Sequence, residues 1–211
     1  MKIKWLGHAC FLITSDNGTR VLTDPFNEEV GYELPAVAAD IVTTSHDHYD
    51  HNYIAAVKGD FVHINQPGSY NEKGIIITGV SSFHDEQGGA KRGKNIIFIF
   101  SVDGIRVCNC GDLGHVLTND QIKKIGTVDV LMVPTGGTYT LDYLGALEVV
   151  NQLNPVITIP MHFKTPDLKF PLDGIDKFLN AAGGQYYNSP EIELNGECLQ
   201  SMAGIRVLNY M

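Results

Sequence analysis

Three histidines and two aspartates fall within six consecutive positions, His46-Asp47-His48-Tyr49-Asp50-His51. Imidazole and carboxylate are the donors that borderline divalent metals take. Crowding five such groups together without an ion would only set titratable side chains against one another. Three further candidates, His84, Asp112 and His162, each stand just beyond an apolar run: 75–82, 105–110 and 156–160 respectively. A single histidine at a strand end is usually structural, and an aspartate after glycine is usually a turn. The shared context, after so dense a cluster, favours ligation. One catalytic zinc takes three protein ligands and a water. Seven candidates, His46, His48, Asp50, His51, His84, Asp112 and His162, are therefore enough for two ions, with Asp112 the natural bridge.

These residues need elements that bring them to one place. The run Asp40–Thr44 reads as a buried strand that delivers the histidine-rich loop. Strands are expected over 2–7, 10–15 and 19–23, with a turn at Asp16-Asn17-Gly18, and an irregular loop from 27 to 40. Residues 53–59 read as a short helix closed by Gly59. Strands follow at 61–65 and 75–80, then a hairpin of 96–102 and 105–109 about Asp103-Gly104. Thr118 and Gln121 have capping-box spacing for a helix that Gly126 stops. Strand 128–133 is followed by an amphipathic helix over 141–153 with positions 141, 144, 147, 150 and 153 as its apolar stripe. Strand 156–159 leads to a helix over 174–182 capped by Asp173, and edge strands complete the chain. Strands first and alternating strand and helix later imply an α/β protein with sheets inside and helices outside. A single domain over 1–211, in two halves of roughly 1–126 and 127–211, is the simplest description. Loops on such a scaffold can converge at one sheet edge.

Composition excludes several functions. The net charge is 15 minus 24, or -9, and the one basic cluster is Lys91-Arg92-Gly93-Lys94. Long nucleic acid is therefore not an expected partner, although one anionic group could meet that cluster. No run approaches the ~18 apolar residues of a membrane span, and the N-terminus lacks the pattern of a leader. A cytoplasmic protein is expected, with Cys10, Cys108, Cys110 and Cys198 as free thiols. The oligomeric state stays open, a homo-oligomer included.

The series His46-x-His48-x-Asp50-His51, then His84, Asp112 and His162, resembles the metallo-β-lactamase superfamily over nearly the whole chain. Trp5-Leu6-Gly7-His8-Ala9, Asp24-Pro25, His84-Asp85, Arg92-Gly93-x-Asn95, Gly111-Asp112-Leu113-Gly114-His115 and Pro160-Met161-His162 are similar to the branch of metal-dependent hydrolases related to ascorbate-6-phosphate lactonase. The resemblance implies a four-layer αβ/βα sandwich. It implies that His46, His48 and His84 hold one ion and Asp50, His51 and His162 a second, with Asp112 between. Two divalent ions are thus expected, Zn2+ first, with Mn2+, Fe2+ or Ni2+ as alternatives.

The implied reaction is hydrolysis of a small ester, lactone or phosphate-bearing substrate by hydroxide held between the metals and oriented by Asp50. Phosphodiester cleavage in nucleotides or lipid-like compounds is the alternative enzymatic reading, and a metal-dependent binding or sensor module is the non-enzymatic one. Outside the ligand set, His115 is a candidate to stabilise charge or protonate a leaving group. His8 and Arg92 are candidates for substrate contact, Lys164 a weaker one, and Asp24 and Asp85 are expected to orient ligands.

Overall fold

The computed structural model describes residues 1–210. Its first sheet contains β1 (Lys2–Gly7), β2 (Cys10–Thr14), β3 (Arg20–Thr23), β4 (Ile41–Thr43) and β5 (Val62–Ile64). The chain then crosses to a second sheet through β6 (Gly68–Glu72), β7 (Ile75–Phe83), β8 (Lys94–Val102) and β9 (Ile105–Asn109). It continues through α1 (Asn119–Ile125), β10 (Val130–Pro134), α2 (Tyr143–Leu153), β11 (Ile157–Met161), α3 (Asp176–Ala182) and β12 (Gln185–Tyr186). Last come β13 (Glu191–Glu193) and β14 (Gly204–Val207). The six-stranded sheet has the order β13-β1-β2-β3-β4-β5, and the eight-stranded one β12-β14-β11-β10-β9-β8-β7-β6.

Strands of the first sheet are apolar on both faces, and alternation explains why. Trp5, Val21 and Ile41 join the core between the sheets, while their neighbours Leu6, Leu22 and Val42 join a second cluster on the outer face. That outer cluster is closed by Phe26, Val30, Tyr32, Val37 and Leu168 from irregular segments. The layer over this sheet is thus loop and single 3-10 turns. α1 packs on β7 and α2 on β10 and α3, giving the second sheet its helical cover.

Several local expectations are corrected. Residues 53–59 form no α-helix: a 3-10 turn, Ile54–Ala56, ends at an extended Val57, because so short a segment cannot repay helix nucleation. Asp173 does not cap α3, which starts at Asp176 with no side-chain cap; its carboxylate accepts instead from Lys177 Nζ (2.8 Å). α2 buries Ala146, Val149 and Leu153 and leaves Leu144 58% exposed. Of the expected stripe, Leu141 and Leu153 are buried and Leu147 and Val150 pack on the core at partial burial, so Leu144 alone departs from it; the helix begins after the Asp142 cap. β7 runs on to Phe83, and β6 was not anticipated.

The capping box of Thr118 and Gln121 forms as expected. Gln121 also donates from Nε2 to the Ser81 carbonyl (3.0 Å), tying α1 to β7. Thr118→Ala is expected to lower stability by about 1 kcal/mol, measured as a urea midpoint shift without a change of slope. The four cysteines are free.

Candidate metal centre

β7, β9, β10 and β11 share one direction, since β8 is antiparallel to both β7 and β9 and β9, β10 and β11 are parallel. Their C-terminal ends therefore lie on one edge, where α/β proteins bind ligands. β4 brings its own C-terminal end to the same edge, and the Ile96 N–H donates to the Ser45 carbonyl (2.9 Å). This is how residues more than a hundred positions apart meet.

The seven expected ligands come together in one place. His46, His48 and His84 form one donor group, and Asp50, His51 and His162 belong to another, each with ligand atoms mutually within 4.8 Å. Asp112 touches both sides: Oδ1 lies 3.2 Å from His51 Nε2, and Oδ2 lies 3.1 Å from His84 Nε2 and 3.4 Å from His162 Nε2. The buried atoms His46 Nε2, both nitrogens of His51, His84 Nδ1, His162 Nδ1 and Asp112 Oδ1 have no hydrogen-bond partner. Unpartnered buried donors and acceptors cost stability. Ions beside Asp112 would take atoms such as His46 Nε2, His51 Nε2 and Asp112 Oδ1, so the donor set fits the implied group.

The charges of the centre are coupled. Burial opposes ionisation of Asp112, but the charges of His162 and His51 outweigh it and hold the carboxyl well below its usual range. Burial likewise opposes protonation of His51, and Asp112, Asp24 and Asp50 overcome it, raising that imidazole. Burial lowers His46 to about 2, with His51 adding to the effect.

The surrounding residues hold these side chains in place. His8 carries no exposed surface, which removes it from the substrate contact expected of it. It sits behind Asp50, its Nε2 3.1 Å from Oδ2, and its ring is 4.3 Å from that of His162. Burial, then His162, lowers it to about 3, so the neutral ring donates from Nε2. Its position beside Asp50, His51 and His162 makes it a fourth candidate donor there.

His115 is also corrected. Nδ1–H donates to the Val116 carbonyl (2.8 Å) and Nε2 accepts from the Phe83 N–H (3.2 Å), which leaves neither nitrogen for proton transfer. Asp24 behaves as expected: it accepts from the Ser45 N–H (2.6 Å) and approaches His51 Nδ1 (3.9 Å). Asp85 does not reach a ligand. It accepts instead from the N–H groups of Gln87, Gly89, Lys91 and Arg92, and these bonds, against the cost of burial, lower its pKa to about 2.

Strain marks the same edge. His8, Asp24 and His162 have φ of 52°, 43° and 51°, each costing roughly 1 kcal/mol or more for a residue with a Cβ. Gly111 has no alternative, since a Cβ there would fall 2.5 Å from Ser45 Cβ. Sequence reasoning missed three contributors. Asn95 Oδ1 accepts from the Asp112 N–H (3.0 Å) and fixes the bridge candidate. Tyr139 and Phe170 form, with Tyr49, the apolar wall of a cleft of about 520 Å³ that opens on Asp50, Asp112 and His162. Only Asn95 lay in a quoted motif; the two aromatics sit in loops with no periodic signal. Arg92 does border this cleft; its Nη2 donates to the Thr138 carbonyl (3.0 Å) and its guanidinium lies 5.5 Å from the Tyr139 ring centroid. Lys164 donates to the Leu168 carbonyl.

Residues 2–162 match the profile of the beta-lactamase superfamily domain. UPF0173 metal-dependent hydrolases of Archaeoglobus fulgidus and Thermoplasma acidophilum are each 30% identical to the chain, over 82% and 92% of it and 85% and 96% of their own lengths. A crystal structure of a metallo-β-lactamase superfamily protein from Thermotoga maritima is 42% identical, with a TM-score of 0.84 over 100% of this chain and 99% of that one.

Proposed function

The chain belongs to the beta-lactamase superfamily as a metal-dependent hydrolase, and on that premise we propose that it uses two divalent ions, zinc first, to hydrolyse a small ester, lactone or phosphate-bearing substrate. One observation carries the reading: Asp112 contacts His51, His84 and His162 across two donor groups whose buried ring nitrogens lack partners. When bound, such ions lower the pKa of water toward neutrality and polarise the oxygen at the reacting centre.

The protein residues do the rest. His46, His48 and His84 would hold one ion, Asp50, His51 and His162 the other, and Asp112 both. His8 fixes one oxygen of Asp50 through its Nε2–H, so the carboxylate keeps one orientation as the nucleophile approaches. Tyr49, Tyr139 and Phe170 limit water around an apolar group, while Arg92 at the rim offers a cation to an anionic one. With His115 engaged on both nitrogens, protonation of the leaving group falls to Asp50 or to water.

The test begins with elemental analysis of protein purified without chelator. About two equivalents of metal are expected, with turnover of a lactone, ester and bis-p-nitrophenyl phosphate panel that vanishes on chelation and returns with metal. Fewer than about one equivalent, not restored by added zinc or manganese, overturns the reading. A preference for the phosphodiester would replace it by phosphodiester cleavage.

A further inference from the structure

A second cleft, of about 830 Å³, lies on the other side of His48 and Arg92 from the apolar wall. Asp47, His48 and Arg92 line both spaces, so the two meet at the candidate metal centre. The lining is mixed. Ile54, Pro67, Phe83 and Ile96 give it an apolar part, and His63, Asn65, Gln66, Arg92 and Lys94 a polar one. Its only carboxylate is Asp47, whose side chain accepts from Asn52 Nδ2.

Neither cation there is paired with a carboxylate. Among the described residues, the lysine and arginine side chains that reach a carboxylate are Lys2, Arg20, Lys91 and Lys177. Arg92 and Lys94 are not among them, although the chain carries nine more acids than bases. Arg92 donates to the neutral Thr138 carbonyl and lies over the Tyr139 ring. Its backbone is held by Asp85, and Lys94 begins β8 two residues later. Both cations are therefore carried on anchored backbone. Exposed amides at Asn65 and Gln66 add donors across the cleft. A space of this volume takes a small molecule, and a positive, donor-rich wall in an acidic protein selects an anion.

Resting on the hydrolase reading above, we propose that the polar wall of this cleft is a subsite for an anionic group of the substrate. The enzyme then takes bipartite small esters: an apolar part lies against Tyr139 and Phe170, the scissile bond over the metal centre, and a carboxylate- or phosphate-bearing part between Arg92, Lys94 and Gln66.

Two measurements test this. The first is the amide 1H–15N spectrum of the chelator-treated full chain titrated with inorganic phosphate. Saturable shifts at residues 63–66 and 92–95, absent in Lys94→Glu, are expected. No shifts there, shifts confined to the ligand loops, or shifts that persist in Lys94→Glu overturn the proposal. The second compares zinc-loaded protein on phenylacetyl glycolate and its neutral analogue phenylacetyl glycolamide. A preference of about tenfold in kcat/KM for the anion is expected, collapsing to near parity in Lys94→Glu and surviving in Lys124→Glu, the same charge change on α1. Parity in the wild type, or equal collapse in Lys124→Glu, overturns it. Saturable phosphate shifts without hydrolysis of either ester would support the anion subsite and overturn the ester-hydrolase reading.

Discussion

Asp112→Asn is expected to reduce bound metal from about two equivalents to one or fewer and to lower turnover about a thousandfold. The substitution keeps the volume of the side chain and removes its charge. It acts at a residue 2% exposed, within 3.4 Å of three imidazole nitrogens. Losing a group that only orients a ligand typically costs roughly 10–100-fold; a carboxylate shared by both donor groups should cost more. The amide N–H of residue 112 still reaches Asn95 Oδ1, so the loop is expected to keep its path. Elemental analysis beside steady-state kinetics checks the result. Full metal occupancy with turnover within about threefold of wild type would remove Asp112 from the centre.

The metal-free protein is expected to be most stable near pH 6.5, with a steep loss on the acid side. His8 has its pKa lowered to about 3 and His46 to about 2, burial being the largest cause for each. Below pH 6.5 the unfolded chain takes up protons at these positions and the folded chain does not. Stability therefore falls as pH falls, by ~3 kcal/mol for His8 alone at pH 4. That is a large share of the 5–15 kcal/mol typical of a domain. Below about pH 4 the loss deepens, because Asp112 is held low in the fold and its contribution fades as it protonates.

On the alkaline side His51 decides. Its raised pKa gives a contribution that is complete below about pH 6.5 and is lost as pH rises through the folded value. Bound metal replaces that proton, so loading should move the optimum upward. Urea melts of chelated and zinc-loaded protein between pH 4 and 9 measure both curves. A chelated protein whose midpoint is flat across pH 4–7 would show that His8 and His46 are not buried as neutral rings.

The candidate donor set was legible because it is written in local terms. Residue type, the one- and two-residue spacing of His46, His48 and His51, and the strand end before His84, Asp112 and His162 all lie within short windows. Periodicity and turn residues found most strands for the same reason, and the Thr118 capping box needs only four residues. Expectations failed where a local pattern had two outcomes: Asp173 had the composition of a cap, yet its carboxylate pairs with Lys177, and Leu144 of the expected α2 stripe faces solvent.

The sequence by itself thus determined which candidate donors gather and that they stand just beyond strand ends. Tertiary structure alone decided what surrounds them. That His8 faces Asp50, that His115 is consumed by backbone, that Asp85 organises a loop, and that Tyr139 and Phe170 wall one cleft while Lys94 and Gln66 border another are outcomes of packing two sheets face to face. Contacts such as that between His8 and Asp50 join positions 42 residues apart. Their geometry depends on strand order and register, which hydrophobic alternation constrains only to the choice of face.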